Sequence, residues 1–476
     1  MNDANDPHDR RYPRELRGLR GDVLLPEDDE YAAAASTFFA SGKPALVVRP
    51  RDAADVAAAI RYVRREDLAL SVRSGGHGLL GSATNDGGLV LDLIHLDSVE
   101  LPGPDVPAGT AHPAGTGSTG NRLVRIGAGA TWGKVMRTLD PHGLGLTAGD
   151  TAGVGVGGLT LGGGIGWLVR KHGLAIDHLV AARVVTADGR LLTATPDQHA
   201  DLFWAVRGGG GNFGVVVGFD FVAGPVPLVH FGTLTYRPDD PARLVTAWRD
   251  HMRTAPESLT STLALIPPMF GGPAKATVTL CYADDAAGPL RAIGPLRAIG
   301  EVLDDDVRVA RYADVLADAH RPPGGRLLSR NALVPTLDDA VIDAAVAAYL
   351  SGSSTVLRSL GGAFGRVPAD ATAFAHRDAE AMIVCAAFLP GDATTAGTDA
   401  DGDAGPPGWA GVARHGTGVY LNFQSSDTSA DLAAAYPPRT YDRLVATKRR
   451  YDPDNLFGRA HNIAPSAVPA TEGVRQ

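Results

Sequence analysis

His77 lies in Arg73-Ser74-Gly75-Gly76-His77-Gly78-Leu79-Leu80-Gly81, directly after the apolar run Leu68–Val72. Gly75, Gly76, Gly78 and Gly81 leave backbone N–H groups unshielded, so this loop can curl around an anion such as a pyrophosphate. A histidine held there can reach whatever carries the phosphate. The plainer alternative is a turn with an incidental histidine. A second stretch favours the first reading. Asp150-Thr151-Ala152-Gly153-Val154-Gly155-Val156-Gly157-Gly158-Leu159-Thr160-Leu161-Gly162-Gly163-Gly164-Ile165-Gly166 is too glycine-rich for an ordinary strand or helix. Its backbone must approach something flat or charged. It does not fit the dinucleotide fingerprint, because Trp167 stands where the third glycine belongs. The one literal GxGxxG, Gly209 to Gly214, follows a helical pattern and precedes a strand. That is the reverse of a Rossmann turn.

The elements that must position these loops follow an alternating pattern. Ala45–Val48 reads as a strand, Asp55–Val63 as a helix, and Leu68–Val72 and Gly88–Leu93 as strands, which is α/β architecture. Leu123–Gly127 is strand-like, and Thr131 is placed to cap a helix running to Leu139. Leu179–Thr186 turns at Asp188-Gly189 into Leu191–Thr193, a hairpin signal. A helix is expected over Asp201–Val206 and a buried strand over Gly214–Phe221. After Gly224-Pro225-Val226-Pro227 the glycine-rich loops thin out, and strands alternate with alanine-rich helices. A domain boundary belongs there. Pro102–Asn121 and Asp392–Gly408 read as insertions. The hexapeptide Gly-Pro-Leu-Arg-Ala-Ile, repeated at Gly288 and Gly294, reads as a local duplication inside a helix.

A chain of 476 residues exceeds one ordinary core, which suggests two domains. Its formal charge of −9 argues against nucleic acid as a partner. No run of 18 apolar residues suggests a membrane span, and the polar start lacks a leader pattern, so a cytoplasmic protein is expected. Neither of the two cysteines, Cys281 and Cys385, has metal-ligand or CxxC spacing, so no metal site is expected. Cys385 reads as a small core residue and Lys448-Arg449-Arg450 as a solvated helix face.

Four ordered motifs carry a resemblance: Arg-Ser-Gly-Gly-His at Arg73, Val-Gly-Val-Gly-Gly at Val154, Arg-Gly-Gly-Gly-Gly-Asn-Phe-Gly at Arg207, and Tyr-Asp-Pro-Asp-Asn-Leu-Phe at Tyr451. Together they resemble the berberine-bridge-enzyme-like members of the vanillyl-alcohol-oxidase type of FAD-linked oxidases. The resemblance runs from about Ala45 to Ile463. It implies an α+β fold with a split FAD-binding domain of two α/β subdomains, plus a substrate domain whose antiparallel sheet is covered by helices. The expected divisions are an extension over 1–40, the FAD-binding domain over 41–224, the substrate domain over 225–425, and a returning segment over 426–476.

The resemblance further implies FAD bonded covalently through His77. The other implied cofactor contacts are Arg73, Ser74, Gly75, Gly76, Gly78, Gly81, Thr151, Val154, Gly155, Gly158, Leu159, Gly163, Gly214, Val217 and Asn462. Many relatives add a cysteinyl bond three residues before Val-Gly-Val-Gly-Gly. Thr151 stands there, so a single tether is expected. Plant members carry a histidine where this chain has Leu159. By the same resemblance, Val154 occupies the position that gates dioxygen in relatives, where valine is the permissive choice. Tyr420-Leu421-Asn422-Phe423 resembles a strand facing the flavin, on which alternation places Tyr420 and Asn422 together. Both are candidate catalytic residues. His376-Arg377 is a recurring pair in bacterial relatives and is read as mainly structural. The implied reaction takes a hydride from a small alcohol, sugar or natural-product substrate and passes the electrons to dioxygen. A dehydrogenase with another acceptor, or a silent flavin-fold binding protein, is the alternative. The expected assembly is a monomer or homodimer.

Overall fold

The computed structural model describes residues 12–103, 120–226, 228–284, 288–318, 326–389 and 405–466. Most of each expected insertion falls outside these residues. The first sheet has strands β1 (Asp22–Leu24), β2 (Leu46–Arg49), β3 (Leu70–Arg73) and β4 (Leu89–Asp92), in the order β1-β2-β4-β3. β4 runs parallel to both β2 and β3, and α1 (Ala53–Glu66) connects β2 to β3. α1 starts where Asp52 accepts hydrogen bonds from the N–H groups of Ala54 and Asp55. It stops at Asp67, whose φ of 52° leaves the helical region. Its inner face, with Val56, Ala59, Ile60 and Val63 buried, follows the expected apolar spacing.

The second sheet is antiparallel, with β5 (Val99–Glu100), β6 (Arg122–Gly127), β7 (Leu179–Val185), β8 (Leu191–Ala194) and β9 (Val215–Pro225) in the order β5-β6-β9-β7-β8. Thr131 caps α2 (Trp132–Leu139) through Lys134 N–H, as its sequence suggests. One expectation fails. The glycine-dense stretch contains a short helix, α3 (Val156–Gly162). Glycine's low helix propensity is overridden by close packing, since Gly157 N–H bonds Ala128 O at 3.1 Å with Ser74 alongside.

The third sheet is antiparallel and eight-stranded. Its main path runs β13 (Val302–Asp305), β10 (Val229–Tyr236), β12 (Lys275–Tyr282), β11 (Leu259–Ile266), β15 (Ser354–Ser359), β16 (Ala381–Leu389) and β14 (Arg326–Val334). Helices α4 (Pro241–Thr254) and α5 (Asp339–Leu350) cover one face through a core that includes Trp248, Leu263, Leu357 and Ile383. The opposite face turns toward the glycine loops. There Leu333, Met382 and Val384 pack with Ile165, Ile176, Phe374 and Tyr420. The repeated hexapeptide is two helical turns rather than one helix, because Pro295 ends Pro289–Ile293 and starts the 3₁₀ turn Gly294–Ala298. Cys385 is fully buried, as expected.

Candidate flavin and substrate site

β3 delivers the His77 loop and β6 delivers α2, and the two glycine stretches meet backbone to backbone. A Cβ on Gly75 would stand 2.3 Å from Gly155 N, and one on Gly155 would stand 2.1 Å from Gly75 N. Only glycine permits that approach. Gly76 and Gly81 adopt φ values of 71° and 67°. Gly78 and Gly158 face open space. Ser74 Oγ ties the loops by donating to Ala128 O at 2.6 Å and accepting from Gly157 N–H at 3.3 Å. The His77 ring stacks on Phe38 with centroids 4.8 Å apart, and its Nε2 lies 3.1 Å from where a Gly153 side chain would begin. Burial lowers the imidazole pKa below its ordinary 6.5, which keeps the ring neutral at physiological pH.

Two implied cofactor contacts point elsewhere. The Arg73 guanidinium is engaged by Asp92 Oδ2 at 2.6 Å and Ser36 O at 2.7 Å. A Cβ on Gly214 would meet Val184 Cγ1 at 2.6 Å, so that glycine serves strand packing. Val217 sits at a bulge in β9, and its carbonyl accepts from Ala128 N–H at 3.2 Å. Thr151 Oγ1 donates to Asp150 Oδ1 at 3.0 Å. Cys281 and Cys385 are buried, with thiols pushed up to about 12 by burial.

The C-terminal tail is stitched in by residues whose motifs looked merely glycine-rich or charged. Asn212 donates to Gly209 O and His461 O, and accepts from Ile463 N–H at 3.0 Å. That grip fixes Asn462, whose Oδ1 is buried with no hydrogen-bond partner among the described residues. Lys448 is not solvated. Its Nζ is fully buried and donates to Asp452 Oδ2 at 2.6 Å, Asn212 O at 2.8 Å and Phe457 O at 3.2 Å. Spacing alone cannot separate a buried lysine with three acceptors from a surface one.

Tyr420 and Asn422 do come together, but not on a strand. Leu421–Phe423 is a 3₁₀ turn, because Asn331 on β14 takes both backbone groups of Tyr420. Its Oδ1 accepts from Tyr420 N–H at 2.7 Å and its Nδ2 donates to Tyr420 O at 2.9 Å. The turn lets Asn422 Nδ2 donate to Tyr420 Oη at 2.8 Å and to Leu159 O at 3.1 Å. Gly164 N–H also donates to that phenol oxygen at 3.0 Å, and Ile165 N–H at 3.4 Å. Burial raises the phenol pKa, and these donors only partly counter it, so the hydroxyl keeps its proton at neutral pH. Gly163 lies against Tyr420 and Phe374, where a Cβ would stand 3.4 and 3.1 Å away.

The His376 ring bonds Ala434 O at 2.9 Å and Ala435 O at 3.1 Å, holding the end of Ser429–Ala435. Arg377 pairs with Asp177 through two contacts of 2.8 Å in a dry site. The sequence reading missed a second pair, between Arg358 on β15 and Asp150, with Nη2 to Oδ2 at 2.5 Å. Burial would raise the Asp150 carboxyl, but the Arg358 charge and hydrogen bond, with one from Thr151, bring it below its usual value. Arg358 also lies 5.6 Å from the Trp167 ring centroid and 5.9 Å from that of Phe423. No motif marks it, because the partner is 208 residues away.

Residues 44–195 match the FAD binding domain family, and 419–464 match the berberine and berberine-like family. The chain is 32% identical to (R)-6-hydroxynicotine oxidase of Paenarthrobacter nicotinovorans, over 94% of this chain and 97% of that protein. The chain belongs to the berberine-bridge-enzyme-like FAD-linked oxidases. The crystal structure of 6-hydroxy-D-nicotine oxidase from Arthrobacter nicotinovorans superposes on this oxidase with a TM-score of 0.79 at 29% identity, covering 94% of this chain and 98% of that one. Glucooligosaccharide oxidase from Acremonium strictum, whose FAD is 6-S-cysteinyl and 8α-N1-histidyl, shares the fold with a TM-score of 0.78 at 22% identity, over 94% and 98%. The residues here fit an FAD: two open glycines, a neutral half-buried imidazole and a buried unpartnered Asn462 oxygen. This oxidase is therefore an FAD-dependent oxidoreductase acting on a small molecule. Among its described residues, no helix is long and apolar enough to cross a membrane.

Proposed function

We propose that this enzyme carries its FAD on His77 by a single covalent bond and oxidises a substrate C–H with dioxygen as acceptor, releasing hydrogen peroxide. The bound FAD supplies the two-electron acceptor; the chain supplies the tether, the walls and the proton handling. The observation that carries the reading is the His77 imidazole, neutral and pinned between Phe38 and Gly153. A neutral ring nitrogen is the form that can make a carbon–nitrogen bond. Thr151 at the second tether position, together with two cysteines locked in the interior, supports one link rather than two.

Gly75, Gly76, Gly78, Gly81, Gly155 and Gly158 would offer bare backbone to the cofactor, with Ser74, Val154, Leu159, Gly163, Val217 and Asn462 around it. Tyr420 is the candidate group at the reacting position. Three N–H donors occupy its oxygen, and no acceptor among the described residues takes its own proton. That proton is thus available to a substrate oxygen, which it would orient while hydride leaves carbon. Asn422 holds the phenol in place. The half-buried Val154 leaves a small side chain beside the glycine loop, consistent with access for dioxygen. Separate cores behind the third sheet and around the first two support a substrate domain over 225–425 and a flavin domain from the rest.

Acid precipitation tests the tether. The precipitated protein stays yellow, whereas His77→Ala releases its flavin to the supernatant. Substrate-dependent oxygen uptake with stoichiometric peroxide tests the acceptor. Fast dye reduction without peroxide would make the enzyme a dehydrogenase.

A further inference from the structure

Residues 163–176 fold into a loop whose two ends meet. Gly163 O accepts from Ile176 N–H at 3.1 Å, and Gly164 O accepts from Ala175 N–H at 2.9 Å. A Cβ on Gly164 would stand 2.4 Å from that of Ala175, so only glycine closes this neck. Leu174 N–H donates to Asp177 Oδ2 at 2.8 Å, and Asp177 is the carboxylate that Arg377 grips. The neck also carries the Gly164 and Ile165 N–H groups that donate to Tyr420 Oη.

The tip of the loop, Val169–His172, reaches the third sheet and its helices. Arg170 donates from Nη1 to Leu360 O at 2.7 Å, and from Nη2 to Ala255 O at 3.2 Å and Met252 O at 3.3 Å. Lys171 beside it donates to Ala283 O. These carbonyls lie at the end of β15, at the C-terminus of α4 and just past β12. Arg170 is 8% exposed, and Glu257, the carboxylate whose charge it feels, is taken by Arg366. A buried guanidinium without its own counter-ion is costly, and an apolar side chain would fill the space at less cost. What the guanidinium alone supplies is a planar fork that fixes carbonyls of two elements at once.

Tip and neck are tied together by Val169 N–H on Gly166 O at 3.1 Å, His172 N–H on Leu168 O at 2.7 Å and Gly173 N–H on Val169 O at 2.9 Å. We propose that Arg170 is a positioning residue for the Tyr420 hydroxyl: it pins the tip, and the loop holds its two N–H donors on the phenol oxygen. The consequence for catalysis rests on the placement of the reacting position at Tyr420. Asn331 fixes the Tyr420 backbone, and Asn422 gives the oxygen one further donor. A hydroxyl oxygen has two lone pairs, so N–H groups that fill them restrict where its own proton can point. Without the loop donors the O–H can rotate.

The test is fluorine NMR of the flavin-loaded enzyme with Tyr420 replaced by 3-fluorotyrosine, together with amide hydrogen exchange of the 162–168 peptide. The parent gives one narrow fluorine resonance. Arg170→Met shifts or splits it and speeds exchange of the peptide roughly tenfold. Arg170→Lys, which keeps the charge and can still donate to the carbonyls, recovers most of both readings. Should Arg170→Met not yield folded protein, Arg170→Gln gives the same shift at smaller amplitude. Leu263→Ala, in the core behind the third sheet, lowers the melting temperature and leaves the resonance in place. A resonance and exchange rate unchanged in the Arg170 variants, or an equal shift in Leu263→Ala, would overturn the proposal. Tyr420→Phe that reduces its flavin as fast as the parent would remove the phenol from the chemistry and leave the hold of Arg170 on it standing.

Discussion

The wall that carries His77 presents backbone to the cleft, whereas the wall that carries Arg358 presents side chains. The first is made by glycines that touch at distances no Cβ allows, with Gly75 against Gly155. The second is a regular sheet face whose Thr262, Arg358 and Val384 are ordinary strand residues in an ordinary register. A backbone wall has one permitted residue at its contacts and cannot drift without losing its shape. A side-chain wall can change its chemistry one residue at a time while the sheet stays folded. The proposed cofactor side is thus rigidly specified and the proposed substrate side adjustable.

Five substitutions or conditions sharpen that contrast. Gly75→Ala drives a methyl to 2.3 Å from Gly155 N. Overpacking of this kind costs about 1–3 kcal/mol or more, and the purified variant should show almost no flavin absorbance per protein. A normally yellow Gly75→Ala protein would break the contrast outright. Tyr420→Phe keeps the ring and removes only the hydroxyl. It should slow substrate-dependent flavin reduction by roughly 10²-fold, the usual cost of misplacing a substrate at the reacting centre, with flavin content unchanged.

The two ion pairs that cross between the walls should separate next. Arg377 and Asp177 are almost wholly dry, so Arg377→Met leaves an uncompensated buried carboxylate and costs about 3–5 kcal/mol. The Asp150 side chain is 34% exposed, so Arg358→Met should cost about 1 kcal/mol or less in folding. Denaturant melts of the two variants check this, and equal losses would contradict it.

The smallest effect is in pH. The proposed attachment of flavin through His77 needs the neutral ring, and burial lowers the pKa of that ring. The neutral form therefore persists below the ordinary imidazole value of 6.5, and covalent incorporation into apo-protein should fall only in more acidic solution than that. In-gel flavin fluorescence after incubation across the pH range reads it. A fall already complete at the ordinary value would show that the ring is not shielded.

The backbone wall was legible because glycine clusters are unusual, so the His77 loop and the Gly149–Gly166 stretch announced a close approach without any structure. The same reasoning overreached in denying a helix there, since the packing of Gly157 on Ala128 and Ser74 outweighs propensity over seven residues. The strand expected at Tyr420–Phe423 became a 3₁₀ turn for a similar reason. Asn331, 89 residues away, takes both backbone groups of Tyr420. Tyr420 and Asn422 still meet, through Asn422 Nδ2 and the phenol oxygen at 2.8 Å, because Tyr420 stays extended at the head of the turn.

By itself, the sequence determined the cofactor class, the family and the residues at which only glycine can stand, because those constraints are local and leave a compositional mark. Tertiary structure alone decided which polar residues face the cleft. Lys448 is buried against Asp452 rather than solvated, Arg73 is spent on Asp92, and Arg358 meets Asp150 across the cleft. Each of these outcomes turns on a partner brought close by the fold, and desolvation makes that partner indispensable only once the chain has closed around it.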